Sequence, residues 1–276
     1  MASAVTERRA VAVLPMYDLP PLRAATDALW AFVATHLRAA GERDVPDALD
    51  RTLGHVASWQ HPSLLLGQAC EYPLAVRYGA AVQRLATPTY AVPGGGPGRY
   101  SSVIVVRRDE QARELGALRG RVCAINERDS NSGMNLLRAA IAPLAGGTCF
   151  FAAVIESGAH WSSARLVADG EADVAAIDCV TFAHLAVADP ALVGRLRPLG
   201  FTPSSPALPF VTAAATPPVT VARLRAALQD AMRSPLLAEA RRVLCLAGLE
   251  PSPEPAYETV RALERAARER GYPVLC

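Results

Sequence analysis

Two segments rich in proline and glycine interrupt a chain that otherwise alternates between short apolar runs and amphipathic helical patterns. The first is TPTYAVPGGGPGR at residues 87–99, and the second is FTPSSPALP at residues 201–209. Alternating strand and helix patterns predict an α/β fold with mostly parallel sheets. Because the two segments bracket a self-contained block, we predict two lobes joined by a hinge.

The predicted lobes divide the chain unequally. Residues 1–101 and 200–276 form lobe I, which is built from both ends of the chain, and residues 102–199 form the inserted lobe II. The chain has 276 residues, of which 51% are hydrophobic and 20% are charged, so it can fill two modest cores. A single larger domain with two long surface loops is the alternative that the sequence leaves open.

Charge and hydropathy exclude several classes of partner. The formal net charge of +2 is too small for a nucleic-acid-binding surface. No apolar stretch approaches the about 20 residues that a membrane span needs. The apolar run after Arg8 and Arg9 breaks at Pro15, which is too short for the core of a signal peptide. The sequence as given therefore predicts a cytoplasmic protein, or a periplasmic one only if a leader has been removed.

The six cysteines are spread along the chain, and none forms a CxxC pair. Most lie in apolar runs such as RVCAI and GTCFF, which is typical of reduced thiols packed as small hydrophobic side chains. A zinc site would need clustered cysteine and histidine residues. We therefore expect no metal and no cofactor.

The segment INERDSNSGMNLL predicts a helix that begins directly after a strand. Ser130, Asn131, Ser132 and Gly133 lie at that helix start. Unpaired N–H groups, the helix dipole and serine hydroxyls together make a site for an oxyanion. The alternative is an ordinary N-cap by one of the serines.

A second pair of polar residues follows two further strands. His160 lies where the predicted strand ending in VIESGA gives way to a helix, and Asp178 follows the strand ADVAAI. Ligands of open α/β sheets bind beyond the carboxyl ends of strands. We therefore expect both side chains to lie near the serines, although each alone would more often be a cap or a turn residue.

At these residues the chain resembles a known family. SGAH…GEADVAAID is similar to the (S/T)GSH…V..G.ADVA..D signature of the phosphonate, phosphite and phosphate substrate-binding proteins of ABC transporters. DSNSG resembles the family's Ser/Thr-Ser-Gly motif at a helix start. The resemblance implies a two-lobed type II periplasmic-binding-protein fold that closes on a small oxyanion, with an ABC permease as partner. Two departures are Ala159 in place of the second residue of GSH and Asn131 between the serines.

The resemblance also implies a role for each candidate residue. Ser130, Ser132 and Gly133 would hold the oxyanion, and Asn131 lies between them. His160 would donate to it, and Asp178 would accept from a protonated ligand oxygen or an amine. Lobe I would contribute residues from the ends of its first two strands and from the turn that follows: Tyr17, Gln68 and Tyr72.

Other functions remain open from the sequence alone. A Cys-His hydrolase would use Cys179 with His160, and a thiamine-pyrimidine synthase shares this fold. The effector domain of a transcription regulator is a third alternative. Without a leader, a cytosolic sensor or carrier is also conceivable. We predict solute binding and assign no catalytic residue.

Overall fold

The computed structural model describes residues 9–251 and 256–276. The part of the N-terminal prediction that rests on residues 1–8 lies outside the described residues. Twelve strands are present in the described part: β1 (Val11–Ala12), β2 (Leu64–Gln68), β3 (Val82–Tyr90), β4 (Arg99–Tyr100), β5 (Ser102–Arg107), β6 (Val122–Ile125), β7 (Ala153–Glu156), β8 (Val174–Asp178), β9 (Leu196–Phe201), β10 (Ser205–Pro206), β11 (Phe210–Ala213) and β12 (Leu246–Glu250).

Two five-stranded sheets define two lobes. The first has the order β1-β2-β11-β3-β12 and draws its strands from both ends of the chain. The second has the order β7-β6-β8-β5-β9 and draws its strands from the middle of the chain. The two-lobed α/β fold is thus confirmed, while the residue limits of the lobes stay a prediction.

The strand directions differ from the expectation of mostly parallel sheets. Within the described strands, β1–β2, β6–β7 and β6–β8 pair in parallel, and the other pairs of the two large sheets are antiparallel. The connection from β3 through β4 to β5 crosses between the lobes, and β9 through β10 to β11 crosses back. These two crossings run side by side in opposite directions, so β3–β11, β4–β10 and β5–β9 must pair antiparallel.

Helices pack against the sheets, and each helix buries the face that contacts a sheet. β5, with the sequence SVIVVR, is buried along nearly its whole length, as β-branched residues in a central strand predict. The longest helix buries Leu29, Val33 and Leu37 at the spacing of one helical face. The helices are α1 (Arg23–Ala39), α2 (His55–Trp59), α3 (Glu71–Pro73), α4 (Leu136–Ala145), α5 (His160–Asp169), α6 (Cys179–Ala188), α7 (Pro190–Gly194), α8 (Pro218–Arg233), α9 (Ala238–Val243) and α10 (Ala256–Glu269).

The C-terminal region differs from its prediction in two respects. The apolar spacing of residues 236–246 is typical of one continuous helix, but the chain forms the short helix α9 and then strand β12. The residues after α10 pack on lobe II, since Tyr272 and Leu275 join the same hydrophobic cluster as Leu137 and Phe150. The lobe I range of 200–276 therefore does not describe the packing of the last residues.

Two of the six cysteines are not the reduced thiols that the sequence predicted. Cys149 and Cys276 form a disulfide with a Cα–Cα distance of 4.8 Å. Cys149 follows a glycine turn at the surface rather than lying in the core, and the C-terminal residue folds back onto it. Cys123 and Cys179 are buried free thiols, as expected.

Among the described residues, no helix has the length and apolarity that a membrane crossing requires.

Candidate functional site

A cavity of ≈ 250 Å³ lies between the two lobes. Lobe I contributes Pro15, Met16, Tyr17, Leu19, His55, Trp59, Cys70, Pro73 and Leu208, and lobe II contributes Asn126, Glu127, Asp129, Ser130, Ser132, Ala159, His160, Trp161, Asp178 and Thr181. The structure therefore brings five of the nine candidate residues to one cavity: Tyr17, Ser130, Ser132, His160 and Asp178.

The cleft is closed, because side chains of the two lobes touch across it. The hydroxyl of Tyr17 donates to Oδ2 of Asp178 at 3.0 Å. The backbone N–H of Asn131 points at Sγ of Cys70 at 3.4 Å.

Residues 130–133, the serine loop, begin the helix that leads into α4. Oγ of Ser130 caps it by accepting from the N–H of Gly133 at 3.0 Å. A Cβ on Gly133 would lie 1.8 Å from Oδ1 of Asn126, so only glycine fits this close approach. Oγ of Ser102 donates to the carbonyl of Ser132 at 2.9 Å and holds the loop against β5. The N-cap alternative is thus correct for Ser130, while Ser132 remains available at the cavity.

His160 contacts the serine loop directly. Its Nε2 lies 2.8 Å from Oγ of Ser132, within hydrogen-bonding distance. Gly158, with a φ of 82°, makes the turn that brings the start of α5 to this place. Burial lowers the pKa of His160 to about 4, against the opposing effect of Glu127. The imidazole is therefore neutral near pH 7 and offers a dipole rather than a charge.

Asp178 closes the other side of the cavity. Its Oδ1 caps α6 by accepting from the N–H groups of Val180 at 2.8 Å and Thr181 at 3.0 Å. Its Oδ2 accepts from Tyr17 and has capacity for one further bond. Burial raises the pKa of this carboxyl to about 6. The phenol of Tyr17 has spent its one proton on Asp178, so the pair offers only acceptors to a ligand.

The cavity has an acidic mouth. Glu127 and Asp129 line it, and Glu127 lies 3.5 Å from Nε2 of His55 across the cleft. The hydrogen bond to Glu127 raises the pKa of His55, and the same bond lowers the pKa of Glu127. None of the described residues that line the cavity is an arginine.

The other four candidates do not line this cavity. Asn131 is fully buried beneath it and donates to the hydroxyls of Tyr100 at 3.1 Å and Ser205 at 2.9 Å. Gly133 lies behind Asn126, as its close approach requires.

Gln68 and Tyr72 were expected to meet a ligand from lobe I. The amide of Gln68 instead donates to the hydroxyl of Tyr90 at 2.9 Å and to the carbonyl of Leu208 at 3.1 Å, beside a separate small cavity. Tyr72 packs in the hydrophobic cluster of lobe II and the tail, with Arg138 above its ring. Neither side chain lines the cavity, because each is engaged by residues distant in sequence.

Sequence reasoning missed several cavity residues. Trp161 and Thr181 directly follow His160 and the start of α6, so their positions could have been inferred from the same strand ends. No sequence motif marks the other missed residues, which are His55, Trp59, Glu127 and Asp129.

The thiol that a Cys-His hydrolase would need is unsuited to attack. Cys179 is 2% exposed, and burial raises its pKa to about 12. A nucleophilic cysteine requires the opposite shift. In the part of the chain that the structure describes, no group of histidine, cysteine and carboxylate side chains is arranged to hold a metal ion.

Comparison with known families identifies the class. The sequence matches the family described as "ABC transporter, phosphonate, periplasmic substrate-binding protein" over residues 64–256, which is more than half of the chain. The chain belongs to this family of periplasmic solute-binding proteins, as the SGAH and DSNSG motifs implied. Among curated proteins, none matches the sequence.

Solved structures share the fold at low identity. The binding-protein component PA3383 of an ABC phosphonate transporter from Pseudomonas aeruginosa has a TM-score of 0.76 and 15% identity, covering 96% of this chain and 88% of its own. PhnD1 from Prochlorococcus marinus, in complex with methylphosphonate, has a TM-score of 0.72 and 13% identity, covering 95% and 99%. XAC2383 from Xanthomonas citri, bound to ATP, has a TM-score of 0.69 and 18% identity, covering 95% and 98%. These likenesses show the two-lobed fold.

Proposed function

We propose that this chain is a solute-binding protein whose lobes close on a small phosphonate-type oxyanion that also carries a hydrogen-bond donor. The observation that carries the proposal is the shared cavity. It brings the serine loop and His160 of lobe II together with Tyr17 of lobe I. Family membership supports solute binding, and the chemistry of the cavity argues the ligand class.

Donors for anionic oxygens come from lobe II. The serine loop begins a helix whose dipole favours an anion. The N–H groups of Asn131 and Gly133 are already engaged by Cys70 and Ser130, so the donors to the anion must be others. The Ser132 hydroxyl adds a rotatable donor, with the His160 imidazole behind it. Since burial keeps that imidazole neutral, the anion is held by dipoles rather than by a cation.

Acceptors come from the opposite side. Above its pKa of about 6, Asp178 is ionised and accepts the hydrogen bond of the Tyr17 hydroxyl, so both side chains present only lone pairs to a ligand. A dianion placed against them would be repelled. A monoanionic phosphonate or phosphite presents a P–OH group there, an aminophosphonate presents an ammonium group, and each avoids this cost.

The acidic mouth supports the same ligand class. Glu127 and Asp129 add two further carboxylates, of which Glu127 is paired with His55, and none of the described lining residues is an arginine. The expected ligand therefore carries less net negative charge than phosphate, and a cationic substituent directed towards the mouth suits it best.

The family description supports delivery to an ABC permease as the role of the bound state. The Cys149–Cys276 disulfide favours an oxidising compartment, because disulfides persist there and are rare in the cytoplasm. An oxidising compartment agrees with the periplasmic alternative given in the sequence analysis. Non-reducing mass spectrometry of the natively expressed protein tests whether the disulfide forms. The protonated Cys179 thiol supports binding without catalysis.

Calorimetry on protein stripped of bound solutes by unfolding and refolding tests the proposal. Methylphosphonate, 2-aminoethylphosphonate, phosphite, phosphate and malate are titrated in turn. We expect 2-aminoethylphosphonate, whose ammonium group is a donor that phosphate lacks, to bind more tightly than phosphate, and malate to bind least. Ser132→Ala should weaken binding about tenfold, because it removes a donor to a charged ligand.

Ser157→Ala is the matched control. Ser157 lies in the SGAH segment, three residues before His160. Its hydroxyl donates to the carbonyl of Ala159 and does not line the cavity. It should leave affinity unchanged. If no oxyanion binds, or if both serine variants weaken binding equally, the assigned ligand class is wrong.

A further inference from the structure

The last residues of the chain, 271–276, form a clasp on lobe II. The carbonyl of Cys276 accepts from the N–H groups of Phe150 at 2.8 Å and Phe151 at 3.0 Å, and the Tyr272 hydroxyl also donates to it. The disulfide to Cys149 fixes the same residue covalently. Tyr272 and Leu275 are each 1% exposed. We call residues 271–276 the C-terminal clasp.

Arg138 on α4 connects the clasp to the helix that begins at the serine loop. Its side chain is nearly completely buried, at 3% exposure. One terminal nitrogen donates to the carbonyl of Pro273 at 2.8 Å, and the other donates to Oδ1 of Asn135 at 2.7 Å. Among the ion pairs of the described residues, none involves Arg138. Tyr72 interacts with both Arg138 and the carboxylate of Glu264, so the buried guanidinium has a carboxylate nearby but no direct ion pair.

The contacts continue from Asn135 to the serine loop. Nδ2 of Asn135 donates to Oδ1 of Asn131 at 2.9 Å, and its backbone N–H donates to the carbonyl of Ser130 at 3.0 Å. Asn131 uses its own amide for Tyr100 and Ser205 at the crossings between the lobes. The clasp, Arg138, Asn135 and Asn131 therefore form one buried hydrogen-bonded chain that ends between the two serines.

We propose that Arg138, held by the C-terminal clasp, is a positioning residue that fixes the serine loop and supplies the positive charge that the cavity itself lacks. The charge lies behind the helix start, where it stabilises a bound anion without touching it. Arg138, Asn135 and Asn131 are each buried, so each hydrogen bond between them restrains the next. The anion-binding part of this inference rests on the proposed function, whereas the positioning of the loop does not.

The test has a ligand-free arm and a ligand-bound arm. Hydrogen–deuterium exchange of the unliganded protein follows the amides of the serine loop in Arg138→Met, Arg138→Lys and Cys149→Ser. Exchange there should accelerate about tenfold in Arg138→Met and measurably in Cys149→Ser, because both loosen a buried network. Arg138→Lys, which keeps the charge, should recover part of the protection. Strand β3 in lobe I should not change.

Arg119→Met is the matched control. This exposed arginine donates to the carbonyls of Leu144 and Ala145 at the far end of the same helix and does not reach Asn135. Calorimetry with methylphosphonate then compares affinities. We expect a loss of about tenfold for Arg138→Met, a smaller loss for Arg138→Lys and none for Arg119→Met.

Each outcome decides the inference. Unchanged loop exchange in both Arg138→Met and Cys149→Ser would overturn it, and acceleration in the Arg138 variant alone would overturn the role of the clasp. If Arg138→Met does not fold, Cys149→Ser decides by the same measurement. If the wild type binds no oxyanion while the loop still loosens, the proposed function fails and the positioning stands.

Discussion

Replacing Asp178 with asparagine should reverse a single hydrogen bond and with it the charge preference of the cavity. Oδ1 of the asparagine still accepts from Val180 and Thr181, so the cap of α6 survives. The new amide nitrogen then faces the Tyr17 oxygen, which lies 3.0 Å from Oδ2 in the wild type. Since an amide nitrogen can only donate, Tyr17 becomes the acceptor and its own proton is freed for the ligand.

The magnitude follows from one charge-assisted hydrogen bond on each side. A ligand that donates to Asp178 loses such a bond, worth about 1.5–3 kcal/mol, or roughly tenfold to a hundredfold in affinity. A dianion gains a donor and loses a repulsive charge, so its affinity should rise by a similar factor. The preference between the two ligands should therefore shift by more than either affinity alone.

Wild-type protein should show the same switch with pH. The Asp178 carboxyl has a pKa of about 6, and Oδ1 already accepts two N–H groups, so a proton binds at Oδ2 and donates to Tyr17. Lowering the pH from 7.5 to 5 should therefore strengthen the binding of sulfate, which remains a dianion throughout. In Asp178→Asn this contribution should disappear, and only the response of the His55–Glu127 pair should remain.

Isothermal titration calorimetry at both pH values separates these effects. The control combines Tyr17→Phe with Asp178→Asn. This double variant has no tyrosine hydroxyl to donate to sulfate, so it should not gain affinity for sulfate. If sulfate affinity depends on neither pH nor Asp178→Asn, the carboxylate is only the cap of α6 and this account of selectivity is wrong.

Four further predictions concern stability, pH, thiol chemistry and closure. Gly133→Ala should lower the free energy of unfolding by about 1–3 kcal/mol in urea titrations, because its Cβ displaces the Asn126 amide; an unchanged midpoint would contradict the close approach. The His55–Glu127 ion pair exists at pH values between the lowered pKa of Glu127 and the raised pKa of His55. Its contribution to closure is therefore lost as the pH rises through the pKa of His55. Calorimetry on His55→Gln should show that this alkaline loss of affinity is absent. Cys179→Ala should keep affinity within about threefold, because the thiol is protonated and does not line the cavity; a hydrolytic activity lost with it would favour an enzyme. Small-angle scattering should show compaction on adding methylphosphonate, and an unchanged radius of gyration at saturation would indicate a rigid pocket.

The site in lobe II could be predicted because its signals are local. β6 pairs in parallel with both β7 and β8, so the carboxyl ends of these strands meet at one edge of the sheet. Polar residues at these strand ends, or at the helix starts that follow them, are brought there by the backbone. Asp178 ends β8, Ser132 and His160 lie at the helix starts after β6 and β7, and all three line one cavity.

The contribution of lobe I could not be predicted in the same way. Gln68 also follows a strand, but β2 pairs with β11, which lies far along the chain. The return crossing brings the Leu208 carbonyl to the Gln68 amide, and this bond withdraws the side chain from the cavity. His55 and Trp59 reach the cavity from a short helix with no motif. The disulfide was likewise hidden, since its cysteines are separated by 127 residues.

The positions of the charged residues around the cavity could not be predicted from composition either. All 28 lysine-or-arginine positions of the chain are arginines, and their number alone says little about a ligand. In the described structure none of them lines the cavity, and Arg138 lies behind the helix start instead. An arginine in direct contact with the ligand would attract any anion of suitable size. In our proposal Arg138 lies behind the serine loop, so the groups that contact the ligand are dipoles in fixed orientations. The carboxylates that do face the ligand then penalise every anion that brings no donor. We therefore propose that selectivity in this cavity comes from the absence of arginines among its described lining residues, which only the folded chain reveals.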